Sequence, residues 1–165
     1  MEKNRPKLIP AAYLVLIKED KILLSRRCNT GFQDGYYSFP AGHPEDDEET
    51  LSQTMVREAQ EEVGIEIDST DLELVHVMHR KQQEPTNERR INLFFTTRKW
   101  KGEPKIMEPK KCDDLKWFDL DNLPENTIPY IKQAINCIKE NIVYSEYGFS
   151  TPEKFKHKPR ILTST

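Results

Sequence analysis

The chain has 165 residues, 32% of them charged, and a net charge of −3 at pH 7. That length predicts one domain with a core of its own, and a slightly acidic balance lacks the cationic surplus that sequence-independent binding of duplex nucleic acid requires. Cys28, Cys112 and Cys137 show neither CxxC nor Cys/His spacing, which argues against a disulfide framework or a zinc site and for a reducing, cytoplasmic compartment. The opening MEKNRPKLIP has no signal-peptide core, and no apolar run reaches the ~18 residues of a membrane span, so no membrane partner is expected.

In chain order, AAYLVLI and ILLSR flank a charged KEDK turn and predict two β-strands joined as a hairpin. Arg26 and Arg27 end the second strand, where a guanidinium can meet a phosphate through two parallel hydrogen bonds. The segment CNTGFQDGYY, with two glycines, reads as a loop leading into SFPAGH. Phe32, Tyr36, Tyr37 and Phe39 are aromatics that either stack on a ring of a ligand or plug the core. Leu51, Met55, Ala59 and Val63 recur every four residues and predict a helix, with Thr50 as its N-cap and Gly64 as its stop.

Beyond it, LELVHVMHRK and RINLFFTTRKW predict antiparallel strands around a QQEPTNE loop, and LKWFDL predicts one more strand. Ile128, Ile131, Ala134, Ile135, Ile138 and Ile142 form the apolar stripe of a closing amphipathic helix. These elements predict an α/β sandwich with a mixed β-sheet in one domain over residues 1–149, followed by a polar, basic tail over 150–165.

The central helix carries an unusual face. At about 3.6 residues per turn, Glu61 and Glu62 project about 60° and 40° to either side of Glu58, so three carboxylates crowd one side. Like charges at this spacing weaken a helix by roughly 0.2–0.5 kcal/mol a pair. Two readings are open: a solvated acidic surface, or a set of hard oxygen ligands for Mg²⁺ or Mn²⁺.

The flanking residues bear on that choice. Gly42, Glu49, Arg57, Glu58, Ala59, Glu61, Glu62, Gly64 and Ile65 resemble the Nudix box of pyrophosphohydrolases, in which Gly, five residues, Glu and seven residues precede Arg-Glu-apolar-x-Glu-Glu-x-Gly-apolar. The chain departs from that pattern by one extra residue between Gly42 and Glu49. The acidic loop His43–Glu48 is expected to absorb it, since an insertion inside the helix would turn every later side chain by about 100°. The place of the first glutamate is left between Glu48 and Glu49, with Glu49 preferred.

The resemblance implies a Nudix-type α/β/α sandwich over residues ~8 to ~142, and hydrolysis of a nucleoside diphosphate linked to a further moiety, X. It implies that Glu58, Glu61, Glu62 and the backbone carbonyl of Ala41 hold Mg²⁺, with Mn²⁺ an alternative, and that Arg57 orients a neighbouring glutamate. Glu58 is expected both to bind metal and to activate water. Glu108, which ends WKGEPKIME, is similar to a loop glutamate that contacts metal or water in MutT-like members. In the same way Arg27 aligns with a phosphate contact and Asn126 with an amide that reads a purine edge, and Tyr36 and Phe39 are expected near the substrate. The leading substrate is a nucleoside triphosphate, oxidised purines included, giving a monophosphate and pyrophosphate. ADP-ribose or another nucleotide sugar, and a non-catalytic nucleotide-sensing module, are the alternatives. Whether the chain is a monomer or a homodimer is left open.

Overall fold

The computed structural model describes residues 6–82 and 86–150. Its centre is β1 (Ile9–Val15), whose sequence IPAAYLV has no charged residue and is buried over Ala11–Val15. Alternation along the strand feeds two cores. Ala11, Tyr13 and Val15 enter one with Met78, Phe94 and Ile131, whereas Ala12 and Leu14 enter the other with Met55, Ala59 and Val63. A strand covered on both faces is the middle layer of a sandwich. The helix α1 (Leu51–Val63) lies on one side and α2 (Pro129–Lys139) on the other, giving the α/β/α arrangement that the sequence predicts.

Two sheets share that middle layer. Besides β1, the elements are β2 (Ile17–Lys18), β3 (Lys21–Arg27), β4 (Tyr37–Ser38), β5 (Ala41–Gly42), β6 (Glu73–Lys81), β7 (Arg89–Thr96), β8 (Cys112–Asp119) and β9 (Tyr144–Tyr147). The first sheet is mixed, in the order β5-β1-β7-β6-β9, with β1–β7 and β6–β9 parallel. In the second, β3 pairs with β2, β4 and β8, all antiparallel.

The expected hairpin is therefore only half formed. Strand β3 folds back on the two-residue β2, with Glu19 at φ 56° in the turn. The apolar run before it leaves this sheet at Leu16 and pairs with β7 and β5 in the other sheet. The reason is burial: β1 has two apolar faces, and only a position between strands and helices covers both.

Strand β9 has no counterpart among the predicted strands. YSEY is short and half polar, and it is fastened to β6 by buried His76, whose Nδ1 contacts the Ile142 carbonyl at 2.8 Å and whose Nε2 contacts Ser145 Oγ at 2.8 Å. The closing helix stops at Lys139, before the end of its apolar stripe, and Asn141 at φ 54° turns the chain so that Ile142 is still buried. Residues 83–85 of the expected QQEPTNE loop, and the tail from 151 onward, lie outside the described residues.

At the start of α1, the Thr50 hydroxyl accepts from the Gln53 N–H while Gln53 Oε1 accepts from the Thr50 N–H, so two end groups of the helix are satisfied together. At its end Gly64 adopts φ 69°, a conformation that glycine takes without strain. Thr50→Ala is expected to lower unfolding free energy by about 1 kcal/mol in urea denaturation, with an unchanged slope.

Candidate functional site

The acidic face of α1 is organised by one arginine. Arg57 Nε donates to Glu49 Oε1 at 2.8 Å and Nη2 donates to Glu49 Oε2 at 3.2 Å. Its Nη1 donates to Glu58 Oε1 at 2.9 Å and to Glu61 Oε2 at 3.1 Å, and Nη2 also reaches the His43 carbonyl at 3.0 Å. This bidentate grip is the strong form of a carboxylate–arginine pair. It pulls the Glu49 carboxyl down to about 2 and raises the guanidinium further above its ordinary value. Glu48 is exposed, and its backbone N–H bonds Asp46. Glu49, not Glu48, is thus the residue beside Arg57.

The three helix glutamates do not share one environment. Glu61 stays on the exposed side with Arg57. Glu62 turns inward, where its Oε2 accepts from the Ala41 N–H at 2.9 Å. Burial first, then the charges of Glu58 and Glu108, push the Glu62 carboxyl up to about 8. Glu58 is also raised, by burial foremost and against the opposing pull of Arg57.

Glu108 comes to this face because its loop is stitched to the end of α1. Lys105 N–H donates to the Val63 carbonyl at 3.0 Å and Met107 N–H to the Glu62 carbonyl at 3.2 Å, both of them helix-end carbonyls that would otherwise lack partners. Its side chain accepts from Lys111 Nζ at 2.8 Å.

Beside these groups opens a cavity of about 630 Å³ whose lining includes Arg27, Phe39, Ala41, Gly42, Glu62 and Glu108. Arg27 is already engaged there, donating from Nε to the Phe32 carbonyl at 2.8 Å and from Nη2 to Thr30 Oγ1 at 3.1 Å. It fixes the 28–35 loop at the cavity rim. Phe39 is 2% exposed and packs edge-on against Phe94, so it serves the core as well as the wall. Tyr36 and Asn126 are not part of the lining: Tyr36 is 41% exposed, and the Asn126 amide donates to the Gly35 carbonyl at 2.7 Å. Asn126 straps one loop to another, which is the ordinary use of an asparagine in a turn.

Several lining residues carry no signal in the sequence. Arg80 and Arg90 come from the paired strands β6 and β7, Tyr13 from β1, and Tyr130 from α2. Strand register brings them together, and no spacing along the chain encodes it.

Among the described residues, no three Asp, Glu, His or Cys side chains are already arranged as a closed metal cage. The donor set nonetheless fits Mg²⁺ or Mn²⁺. Glu58, Glu62 and Glu108 are hard oxygen donors, and the Glu108 carboxylate is close enough to raise the other two. Gly42 leaves the space that Glu58 needs: a Cβ there would overlap the Glu58 carboxylate. Glu58, Glu62, Glu108 and the backbone at Ala41 would hold the ion, with Glu61 on the solvent side.

The family described as NUDIX domain matches residues 7–136. The 8-oxo-dGTP diphosphatase of Proteus vulgaris is 34% identical over 101 residues, which are 61% of this chain and 84% of that protein. The NAD-capped RNA hydrolase NudC of Stutzerimonas stutzeri (strain A1501) is 29% identical over 122 residues, 74% of this chain and 40% of that protein, so the chain spans less than half the length of that relative. The crystal structure of a MutT NUDIX hydrolase from Burkholderia pseudomallei superposes with a TM-score of 0.71 at 24% identity, covering 79% of this chain and 97% of that one.

Two outcomes follow from the site. Gly42→Ala is expected to weaken Mn²⁺ binding at least tenfold by calorimetry while the circular dichroism spectrum is kept, because the new methyl displaces the Glu58 carboxylate. In metal-free protein Glu62 binds its proton more tightly folded than unfolded, so stability falls as pH rises from about 4.5 through about 8. Glu62→Gln should flatten that decline and raise the melting temperature at pH 8.5; a wild-type profile that is flat across this window would contradict the burial of that charge.

Proposed function

The chain belongs to the Nudix family, and from that premise we propose that it is a metal-dependent pyrophosphohydrolase that cleaves a nucleoside diphosphate linked to X. The observation that carries the reading is the set of partly buried glutamates, Glu58 held by Arg57 beside Glu62 and Glu108, the last two lining a cavity large enough for a nucleotide. Carboxylates kept together at that electrostatic cost serve a cation, whereas a plain acidic surface would spread them into water.

A bound Mg²⁺ would neutralise diphosphate charge, stabilise the charge of the transition state and acidify water. The chain's own residues do the rest. Arg57 locks the rotamers of Glu49 and Glu58 so that the oxygens are in place before substrate arrives. Glu58, whose affinity for a proton is raised by burial, takes the proton of the attacking water as its oxygen bonds to phosphorus and the anhydride P–O bond breaks. Lys111, beside Glu108, and Arg27 supply positive charge on the wall that faces the leaving phosphates.

Within that class the preferred substrate is a nucleoside triphosphate, oxidised purines included, with release of pyrophosphate and the monophosphate. The 8-oxo-dGTP diphosphatase supports this choice because it is matched over 84% of its length, while the NudC relative is matched over 40%. No helix among the described residues is long and apolar enough to cross a membrane, which accords with a dissolved small-molecule substrate.

Pyrophosphate release from nucleoside triphosphates with Mg²⁺ is expected to stop in EDTA and return when Mg²⁺ is restored. Glu62→Gln should lower the rate by roughly 10²–10⁴, the size of a lost transition-state interaction of ~3–5 kcal/mol. Turnover that survives EDTA, or a Glu62→Gln variant as active as wild type, would sink the assignment.

A further inference from the structure

The cations around the cavity differ in how they are held. Arg26 is paired with Asp113 at 2.7 Å, Arg90 with Glu88 at 2.6 Å and Lys111 with Glu108 at 2.8 Å, while Arg27 is tied to its own loop. Arg80 is different. It lines the cavity, is 4% exposed, and its Nε has no hydrogen-bond partner. Among the described residues, ring faces take the place of a carboxylate: its guanidinium carbon lies 4.3 Å from the Tyr130 ring centroid and 5.9 Å from that of Phe32.

Aromatic faces attract a cation but give no acceptor to an in-plane N–H. A buried donor left unsatisfied is costly, and such groups mark places where a ligand completes the bonding. Asn92 does not fill the role. It is diagonal to Arg80 on the same sheet face, since Met78 pairs with Asn92 and Arg80 with Arg90, yet both of its amide atoms also lack partners.

Position tells which part of a substrate would meet Arg80. The glutamates act next to Ala41 and Gly42 on β5, and the sheet order β5-β1-β7-β6 puts Arg80 three strands away. At about 4.8 Å per strand, that is ~14 Å across the sheet. A triphosphate chain is too short to span it from the cleavage point, whereas a sugar and a base placed between them are long enough. Phe32, Tyr13 and Tyr130 supply the ring faces along the way. The group that meets Arg80 is then a hydrogen-bond acceptor on the far edge of a planar base.

We propose that Arg80 is a specificity-determining residue of this chain, which donates from its buried guanidinium to a ring carbonyl of the base and so selects a 6-oxopurine nucleotide over a 6-aminopurine nucleotide. The inference rests on the nucleotide reading above and adds the residue that reads X. Arginine is suited to this role because its N–H groups match the carbonyl and ring-nitrogen edge of an oxopurine, a pairing that discriminates by roughly 10- to 100-fold.

The test compares inosine and adenosine nucleotides, which differ at that edge. Wild-type protein, Arg80→Lys and Arg80→Met are assayed for turnover of ITP and ATP with Mg²⁺, and for binding of IMP and AMP by calorimetry, with thermal midpoints recorded. Wild type is expected to favour the inosine form in KM and in binding. Both variants should lose that preference by roughly 10- to 100-fold while kcat changes little. A wild type without preference overturns the proposal. So do equal losses for both bases, whether or not the thermal midpoint falls, because they assign Arg80 to packing under Tyr130. If wild type hydrolyses neither triphosphate, the triphosphate reading fails by itself; the monophosphate titrations still decide on Arg80, supporting it where the IMP preference is present and disappears in the variants.

Discussion

A single guanidinium makes the acidic end of this protein possible. Glu49, Glu58 and Glu61 all accept from Arg57, at 2.8 to 3.2 Å, and so does the carbonyl of His43. Removing those bonds would leave carboxylates at helical spacing repelling one another across a partly desolvated surface. Arg57 therefore does two things at once. It neutralises the crowding, and it fixes the 43–49 loop against the helix, so that Gly42 and Ala41 stand next to the carboxylates.

Glu62 lies outside that grip, and the difference is instructive. Its carboxylate points toward the Ala41 N–H and the cavity, where burial and two neighbouring acids favour its neutral form. A protein built for stability alone would place glutamine there. The chain keeps a group whose charged form is unfavourable in the absence of a cation, and the same field that raises its pKa is a field that attracts a divalent ion.

The sandwich supplies what the helix cannot. Because β1 is covered on both faces, it holds β5 and β7 in fixed register to either side. That places the Ala41–Gly42 backbone on an edge strand and Arg80 three strands away. The loop before β8 is fastened to the carbonyls of Val63 and Glu62, so the end of α1 positions Glu108 with backbone bonds instead of side-chain contacts. Glu58, Glu62 and Arg80 thus stand on helix and strand, and the 28–35 loop, held by Arg27, adds Thr30, Gly31 and Phe32 to the cavity wall.

Much of this was legible along the chain. Thr50, the Met55–Ala59–Val63 stripe and Gly64 define α1 because capping and helical period are local properties, settled within a few residues. The spacing of Gly42, Arg57 and the glutamates carries the family resemblance for the same reason. What the sequence alone left undetermined was set by contacts between distant segments. Tertiary packing sends β1 out of its hairpin, makes Asn126 a strap to Gly35, and turns Glu62 inward while Glu61 faces water. It also brings Arg80 and Tyr130 together 50 positions apart, through strand register and the docking of α2 on the sheet. Local pattern determines which elements form and which residues share a face; only long-range pairing decides which faces meet, and the cavity is made of such meetings.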